Sequence, residues 1–184
     1  CYIDPMTLVP YKNTVALITK PLTPPWHDGS RLLPRYLVSH SNQTNFHVMT
    51  ASQHPLSFSH VTNHPVYLSP ERTSPSLVDK LRVMKFVASQ LFRRRVSETT
   101  SPLHFFFTPN PTSSKVFQFL RKLDPSRPTI QTITSRPNPA LPNTNLFFSD
   151  IHVTVSQSTF AELSRRTNRP IYQIYPGIPD PLQD

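Results

Sequence analysis

The feature that most constrains this chain is an alternation: short, nearly continuous apolar runs recur along it, each followed by a Pro-rich loop or a stretch with helical period. Thr14-Val15-Ala16-Leu17-Ile18-Thr19 and Leu103-His104-Phe105-Phe106-Phe107-Thr108 are the clearest runs. A strand with one wet face alternates apolar and polar residues, whereas a continuous run suits a strand buried on both faces. Phe46 to Thr50, Pro65 to Leu68, Pro128 to Thr134, Ile151 to Val155 and Pro170 to Tyr175 read as further strands. A polar, His-rich loop separates Phe46 to Thr50 from Pro65 to Leu68.

Between the runs lie helical patterns. Ser76 to Arg95 is the strongest: Ser76 and Asp79 have capping-box spacing, and Leu77, Leu81, Met84, Ala88 and Leu91 recur on one face. That stripe is what a sheet-packing helix needs, which leaves Lys80, Arg82, Lys85, Arg93 and Arg94 on a solvated cationic side. Peripheral membrane contact through this helix is the competing reading. A second helix, capped by Thr112 or Ser113, carries Val116, Phe119, Leu120 and Leu123. A third is capped by Ser156 or Ser158, with Arg165 and Arg166 at its negative end. Near Leu32 to Val38 a regular helix is expected to start at Leu33 or later, because Pro34 is tolerable only in a first turn. Strands alternating with helices imply an α/β fold: a Rossmann-like parallel sheet with helices on both faces, a three-layer sandwich. In such sheets ligands bind beyond the carboxyl ends of the strands. The segments Trp26 to Ser30, Pro109 to Thr112, Ser135 to Asn138 and Ser156 to Ser158 therefore form the expected functional rim.

Composition limits the rest. The 184 residues suit one core. Prolines number 22 and glycines only 2, yet the prolines fall between periodic runs, so the skew does not signal disorder. The net charge of +9 stems from 10 acidic residues against an ordinary 19 basic ones, and the basic residues are scattered; nucleic acid is not an expected partner. Cys1 is the single cysteine and no zinc-type spacing exists, so neither an internal disulfide nor a metal is expected, and a reducing, cytoplasmic setting is the simpler reading. No apolar run approaches the roughly 20 residues of a membrane span. The chain opens on Cys1 with no signal-peptide pattern, and a piece of a longer protein is expected.

Val153-Thr154-Val155-Ser156-Gln157-Ser158-Thr159-Phe160-Ala161-Glu162-Leu163, followed by Pro170-Ile171-Tyr172-Gln173-Ile174-Tyr175-Pro176-Gly177-Ile178, resembles the end of the acceptor-side domain of retaining glycosyltransferases with the GT-B fold. Pro24-Pro25-Trp26-His27-Asp28-Gly29-Ser30-Arg31 is similar to that family's first loop, and Thr129 to Ile133 to its acceptor-domain strand. The only two glycines, Gly29 and Gly177, stand where the family pattern places one. The resemblance implies residues 14–179 as the amino-terminal Rossmann-like domain, 1–13 as an extension and 180–184 as the start of a linker. It implies a hexosyltransferase-like enzyme moving a sugar from a nucleotide-sugar donor to a saccharide or lipid-linked acceptor. The nucleotide would be held by a second domain, so this chain alone is expected to be inactive and to need no other cofactor.

Carried over residue by residue, the resemblance implies donor contacts at Gly29 and Ser30, where a plain helix start is the alternative. By their position on the rim, Asn110, Thr134, Arg136 and Ser156 are candidate acceptor contacts, and His27 a contact for donor or acceptor. For His27, Asn110 and Arg136 the competing reading is ordinary surface, and for Ser156 a helix cap. No catalytic residue is assigned. Two departures stand out: Ser30 replaces a second loop glycine, and Thr134 occupies the place where many members carry a His. Both favour the alternative of a non-catalytic glycosyltransferase-like binding module or a split subunit requiring a partner chain. His104 reads as a core or rim residue rather than a base, and His152, inside a strand, as structural.

Overall fold

A strand paired on both sides and covered on both faces favours a continuous apolar run, and the computed structural model of the chain builds its sheet around one such strand. It describes residues 13–24, 29–51, 55–67, 76–93, 101–107, 110–138, 140 and 146–175. The strands among them are β1 (Asn13–Ile18), β2 (Thr44–Ala51), β3 (Val61–Tyr67), β4 (Leu103–Phe106), β5 (Thr129–Ile133), β6 (Ile151–Thr154) and β7 (Ile171–Gln173). The helices are α1 (Gly29–His40), α2 (Leu77–Arg93), α3 (Pro111–Leu123) and α4 (Gln157–Ser164). All seven strands join one sheet in the order β3-β2-β1-β4-β5-β6-β7, and every pairing is parallel. The fold is the expected Rossmann-like α/β sandwich.

Strand alternation sorts the core into two halves. On one face Ala16, Ile18, Met49, Leu103 and Phe105 pack against Phe86 and Val87 of α2 and Phe117 of α3. On the other, Leu17, Phe46, Val48 and Phe106 pack against Val38, Leu33 and Leu37 of α1. Phe105, Phe117 and Phe148 form an aromatic cluster, with centroids 4.6 Å apart for Phe105 and Phe117 and 5.1 Å for Phe105 and Phe148. Such offset and edge-on contacts add to the burial they accompany.

Two helices present to the sheet a different face from the one their apolar periodicity suggests. In α2, Asp79, Phe86, Val87 and Gln90 are buried, while Leu77, Leu81 and Met84 are 73%, 58% and 41% exposed. The capping box forms as expected: the Ser76 N–H and hydroxyl both donate to Asp79 Oδ2, at 2.9 and 2.7 Å, and the Asp79 N–H donates to Ser76 Oγ at 3.1 Å. This reciprocal pair satisfies the Asp79 carboxylate and lets it sit inside. In α3 the face turned to the sheet carries Phe117 and Ser114, whereas Phe119 and Leu123 are exposed. Phe117 is drawn in by the aromatic cluster, and Arg121 by acceptors at the sheet's lower edge. The side chains of Leu91, Arg93, Thr112, Ser113, Val116 and Leu120 lie outside the described set, as does all of Arg94.

Three element boundaries also shift. Helix α1 begins at Gly29 and takes Pro34 into its interior. Pro34 lacks the N–H that would bond the Ser30 carbonyl, but Ser30, Pro34 and Val38 form a buried i, i+4 line, and that burial offsets the missing bond. Strand β3 begins at Val61, well inside the segment read as loop, since an edge strand need not be apolar. Helix α3 starts at Pro111, a favoured first position, with the Asn110 carbonyl receiving the Ser114 N–H at 3.0 Å.

The amino ends of the strands are tied by charge. Arg121 donates to the Phe148 carbonyl and to Asp150, whose other oxygen accepts from the Thr129 N–H at 2.9 Å and hydroxyl at 2.8 Å. Buried Arg127 donates to the Ser101 carbonyl at 2.6 Å and to the Gln90 carbonyl, joining α2 to the starts of β4 and β5. The orientation of α2 predicts unequal responses: Phe86→Ala should cost about 3–5 kcal/mol and Leu81→Ser less than about 0.5 kcal/mol. Urea unfolding midpoints measure both, and equal losses would place the core face of α2 elsewhere.

Candidate functional site

Strand order reverses at β1: the chain runs outward to β2 and β3, then returns to place β4 on the other side of β1. Beyond the carboxyl ends of β1 and β4 the two connections therefore diverge, leaving the crevice in which such sheets bind ligands. Because every strand is parallel, the expected rim residues come to one edge of the sheet. Gly29 and Ser30 open α1 after β1, Asn110 precedes α3 after β4, Thr134 and Arg136 follow β5, and Ser156 follows β6. At a strand spacing near 5 Å, β1 and β6 end about 15 Å apart.

Gly29 is exposed at the first position of α1, and a Cβ added there would meet nothing within 4 Å. Nothing in the surrounding fold requires glycine at this position. The Ser30 side chain is buried, so its hydroxyl is turned away from the rim surface. Asn110 is exposed at the helix-capping position of α3, and Thr134 is half-buried. Arg136 is exposed and ion-paired, its Nη2 3.3 Å from Glu162 Oε2. Ser156 caps α4 in an extended conformation (φ −140°, ψ 146°), and its hydroxyl accepts from the Thr159 N–H at 3.2 Å. The structure therefore assigns Ser156 the capping role, with the hydroxyl also 2.8 Å from Thr159 Oγ1. His27 and Gly177 lie outside the described residues.

Two groups on this edge are absent from the sequence expectations. Glu162 sits between Arg136 and Arg166, whose Nη1 is 3.5 Å from Glu162 Oε1. The i, i+4 spacing of Glu162 and Arg166 is the signal that identifies half of this arrangement. Tyr67, at the end of β3, donates its hydroxyl to the Thr19 carbonyl at 2.8 Å. Burial pushes the phenol far up, the Asp79 carboxylate adds to the effect, and Arg31 in the first turn of α1 opposes it. Tyr67, Asp79 and Arg31 come from three separate elements, and no local pattern announces their meeting.

Two of the histidines in the sheet, His104 in β4 and His152 in β6, are held neutral by burial. His104 Nε2 lies 2.8 Å from Thr132 Oγ1, and burial lowers its pKa to about 3. His152 is buried with neither ring nitrogen hydrogen-bonded among the described residues; burial first, then the Arg169 charge, lowers it to about 4, with Asp150 acting in the opposite direction. Neither can take up a proton near neutrality, so neither suits general-base work at that pH. Asp150 is pushed up by burial, but the Thr129 hydroxyl and N–H and the Arg121 guanidinium outweigh this and hold it below the ordinary value. It lies at the opposite edge of the sheet from the rim. A small pocket at that edge is lined in part by Phe105, Phe117, Arg121 and Arg127. Among the described residues no three His, Cys, Asp or Glu side chains gather as a metal site, and no helix is long and apolar enough to cross a membrane.

Both histidines have folded pKa values below their ordinary 6.5. The unfolded chain thus binds protons that the folded chain refuses, and the stability they contribute is complete above about pH 6.5 and is lost as pH falls towards 4 and then 3. Near pH 5.5 the pair should add roughly 2–3 kcal/mol per pH unit to the slope of unfolding free energy. His104→Gln should remove about one proton from that slope. Urea unfolding at several pH values measures it, and an unchanged slope in the variant would mean that His104 titrates freely.

No family model matches the chain, and no curated protein matches it. Functional assignment therefore rests on the residues of the rim.

Proposed function

We propose that this chain is the acceptor-side domain of a glycosyltransferase that moves a sugar from a nucleotide-sugar donor to a saccharide or lipid-linked acceptor. The observation that carries the reading is the reversal of strand order at β1, with the start of α1 and Asn110 standing on either side of the resulting crevice. The start of α1 suits a donor phosphate, because a helix start carries partial positive charge. Asn110, Thr134 and the Arg136–Glu162 pair then stand along the remaining rim as polar groups for acceptor hydroxyls. A leaving diphosphate needs such preorganised donors, and an acceptor hydroxyl needs fixed orientation. In this reading a second Rossmann-like domain holds the nucleotide.

A second reading, a non-catalytic saccharide-binding module or a split subunit acting with a partner chain, is favoured by Thr134 standing in place of the family's frequent His. The two readings part at turnover. A chain carrying both domains transfers or hydrolyses a donor under the first; under the second it binds saccharide and releases no nucleotide.

Amide NMR shifts of this chain, titrated with a panel of nucleoside-diphosphate sugars and of oligosaccharides, test both readings against neither. Shifts should gather at Gly29, Ser30, Asn110, Thr134 and Arg136 and spare Arg127 and Asp150. Gly29→Ala should fold with an unchanged melting temperature, given the open space around it. If a donor phosphate approaches there, the added methyl should hold it off the backbone and weaken nucleotide-sugar binding about tenfold, a loss comparable to one charge-assisted hydrogen bond. Silence across the whole panel from a folded chain, or shifts confined to the opposite edge, would overturn the assignment.

A further inference from the structure

The outward face of α2 is apolar where a solvent-facing helix is normally polar. With 3.6 residues per turn, Leu77, Leu81, Met84 and Ala88 fall within an arc of about 60° centred on the side away from the sheet. Leu77, Leu81 and Met84 are exposed along it. Lys80 borders the stripe on one side and Lys85 on the other, both exposed, and neither is ion-paired among the described residues. The only carboxylate in α2, Asp79, is turned inward and held by Ser76. The neighbouring helix α3, which lies against the same sheet face, adds exposed Phe119 and Leu123 beside exposed Lys122.

Single exposed leucines are unremarkable in proteins, but an ordered stripe bordered by cations is not. Lysines at the borders of an apolar face can run their methylene stems along it and lift the ammonium groups to a charged plane above. A helix of this kind lies in the headgroup layer, with its leucines among the upper acyl carbons and its lysines among lipid phosphates. The net charge of +9 adds long-range attraction to an anionic surface. We propose that the outward face of the α2–α3 layer docks this protein on an anionic lipid bilayer. The stripe spans about 16 Å, already folded and already facing out, so docking requires no rearrangement of the core. This inference stands independently of the sugar-transfer reading.

Flotation with vesicles tests it. The protein should float with vesicles of phosphatidylcholine containing about 30% phosphatidylglycerol, should remain behind with pure phosphatidylcholine, and should be released as salt rises. Lys80→Gln/Lys85→Gln should weaken binding on the order of 25-fold. Leu81→Glu should weaken it at least about tenfold. Arg165→Glu, an exposed charge reversal beyond α4, should bind more tightly than either. Circular dichroism establishes that each variant is folded. Failure of the wild-type protein to float with the anionic vesicles would overturn the proposal, and so would equal flotation by Leu81→Glu. Concentration-dependent dimerisation without lipid that Leu81→Glu abolishes would assign the face to a second copy of the chain and likewise overturn it.

Discussion

The pairing of β1 with β2 on one side and β4 on the other is the constraint on which the rest depends. A strand in that position has no solvent edge, and with helices on both faces it has no solvent face; Ala16, Leu17 and Ile18 are accordingly buried. Parallel pairing on both sides rules out hairpins around it, so each connection must climb back along the sheet. The crossovers carry α1 to one face and α2 and α3 to the other, and both faces close over the same strand. One consequence is geometric polarity. Every carboxyl end points to one edge, and every amino end to the other.

The two edges are built differently. At the amino edge, Arg121, Asp150 and Thr129 interlock, and Arg127 joins two carbonyls from separate elements in a buried setting. These groups are consumed by one another and serve the fold. At the carboxyl edge the polar groups sit on helix starts and strand ends, and Gly29 stands in open space. Arg136 and Glu162 engage each other there in a half-exposed pair, which solvent screening makes cheap to rearrange. Rigidity at one edge and polar groups on helix starts and strand ends at the other is the arrangement a ligand crevice requires.

How much of this was legible in the sequence depends on how many readings each pattern allows. A continuous run such as Leu103 to Phe107 has one economical interpretation, and the strand lies there. The helix over Leu77–Arg93 is equally legible as a helix, but not in its orientation, because apolar residues occupy both sides. Counting cannot rank Leu77, Leu81 and Met84 against Val83, Phe86 and Val87. The choice is made by distant partners: the Gln90 carbonyl meets Arg127, and Phe86 meets His64 at 4.8 Å between ring centroids. Pro34 misleads by the same logic, since its cost is local and its compensation, burial beside Ser30 and Val38, is tertiary. Ser156 is legible because a cap is a contact between near neighbours. Tyr67, Asp79 and Arg31 are not, because their proximity exists only once three crossovers have been made.

Pro65 has a further role that follows from its place in β3. The His60 carbonyl accepts the Phe46 N–H at 2.9 Å, so alternate backbone groups from His60 onward face β2 and the intervening ones, Pro65 among them, face away. The nitrogen that carries no hydrogen therefore lies on the side of β3 with which no described strand pairs. An extended segment from another molecule that tried to lengthen the sheet there would find a gap in the row of donors it must pair with. The residue that looks least suited to a strand thus limits the sheet to its own chain on that flank.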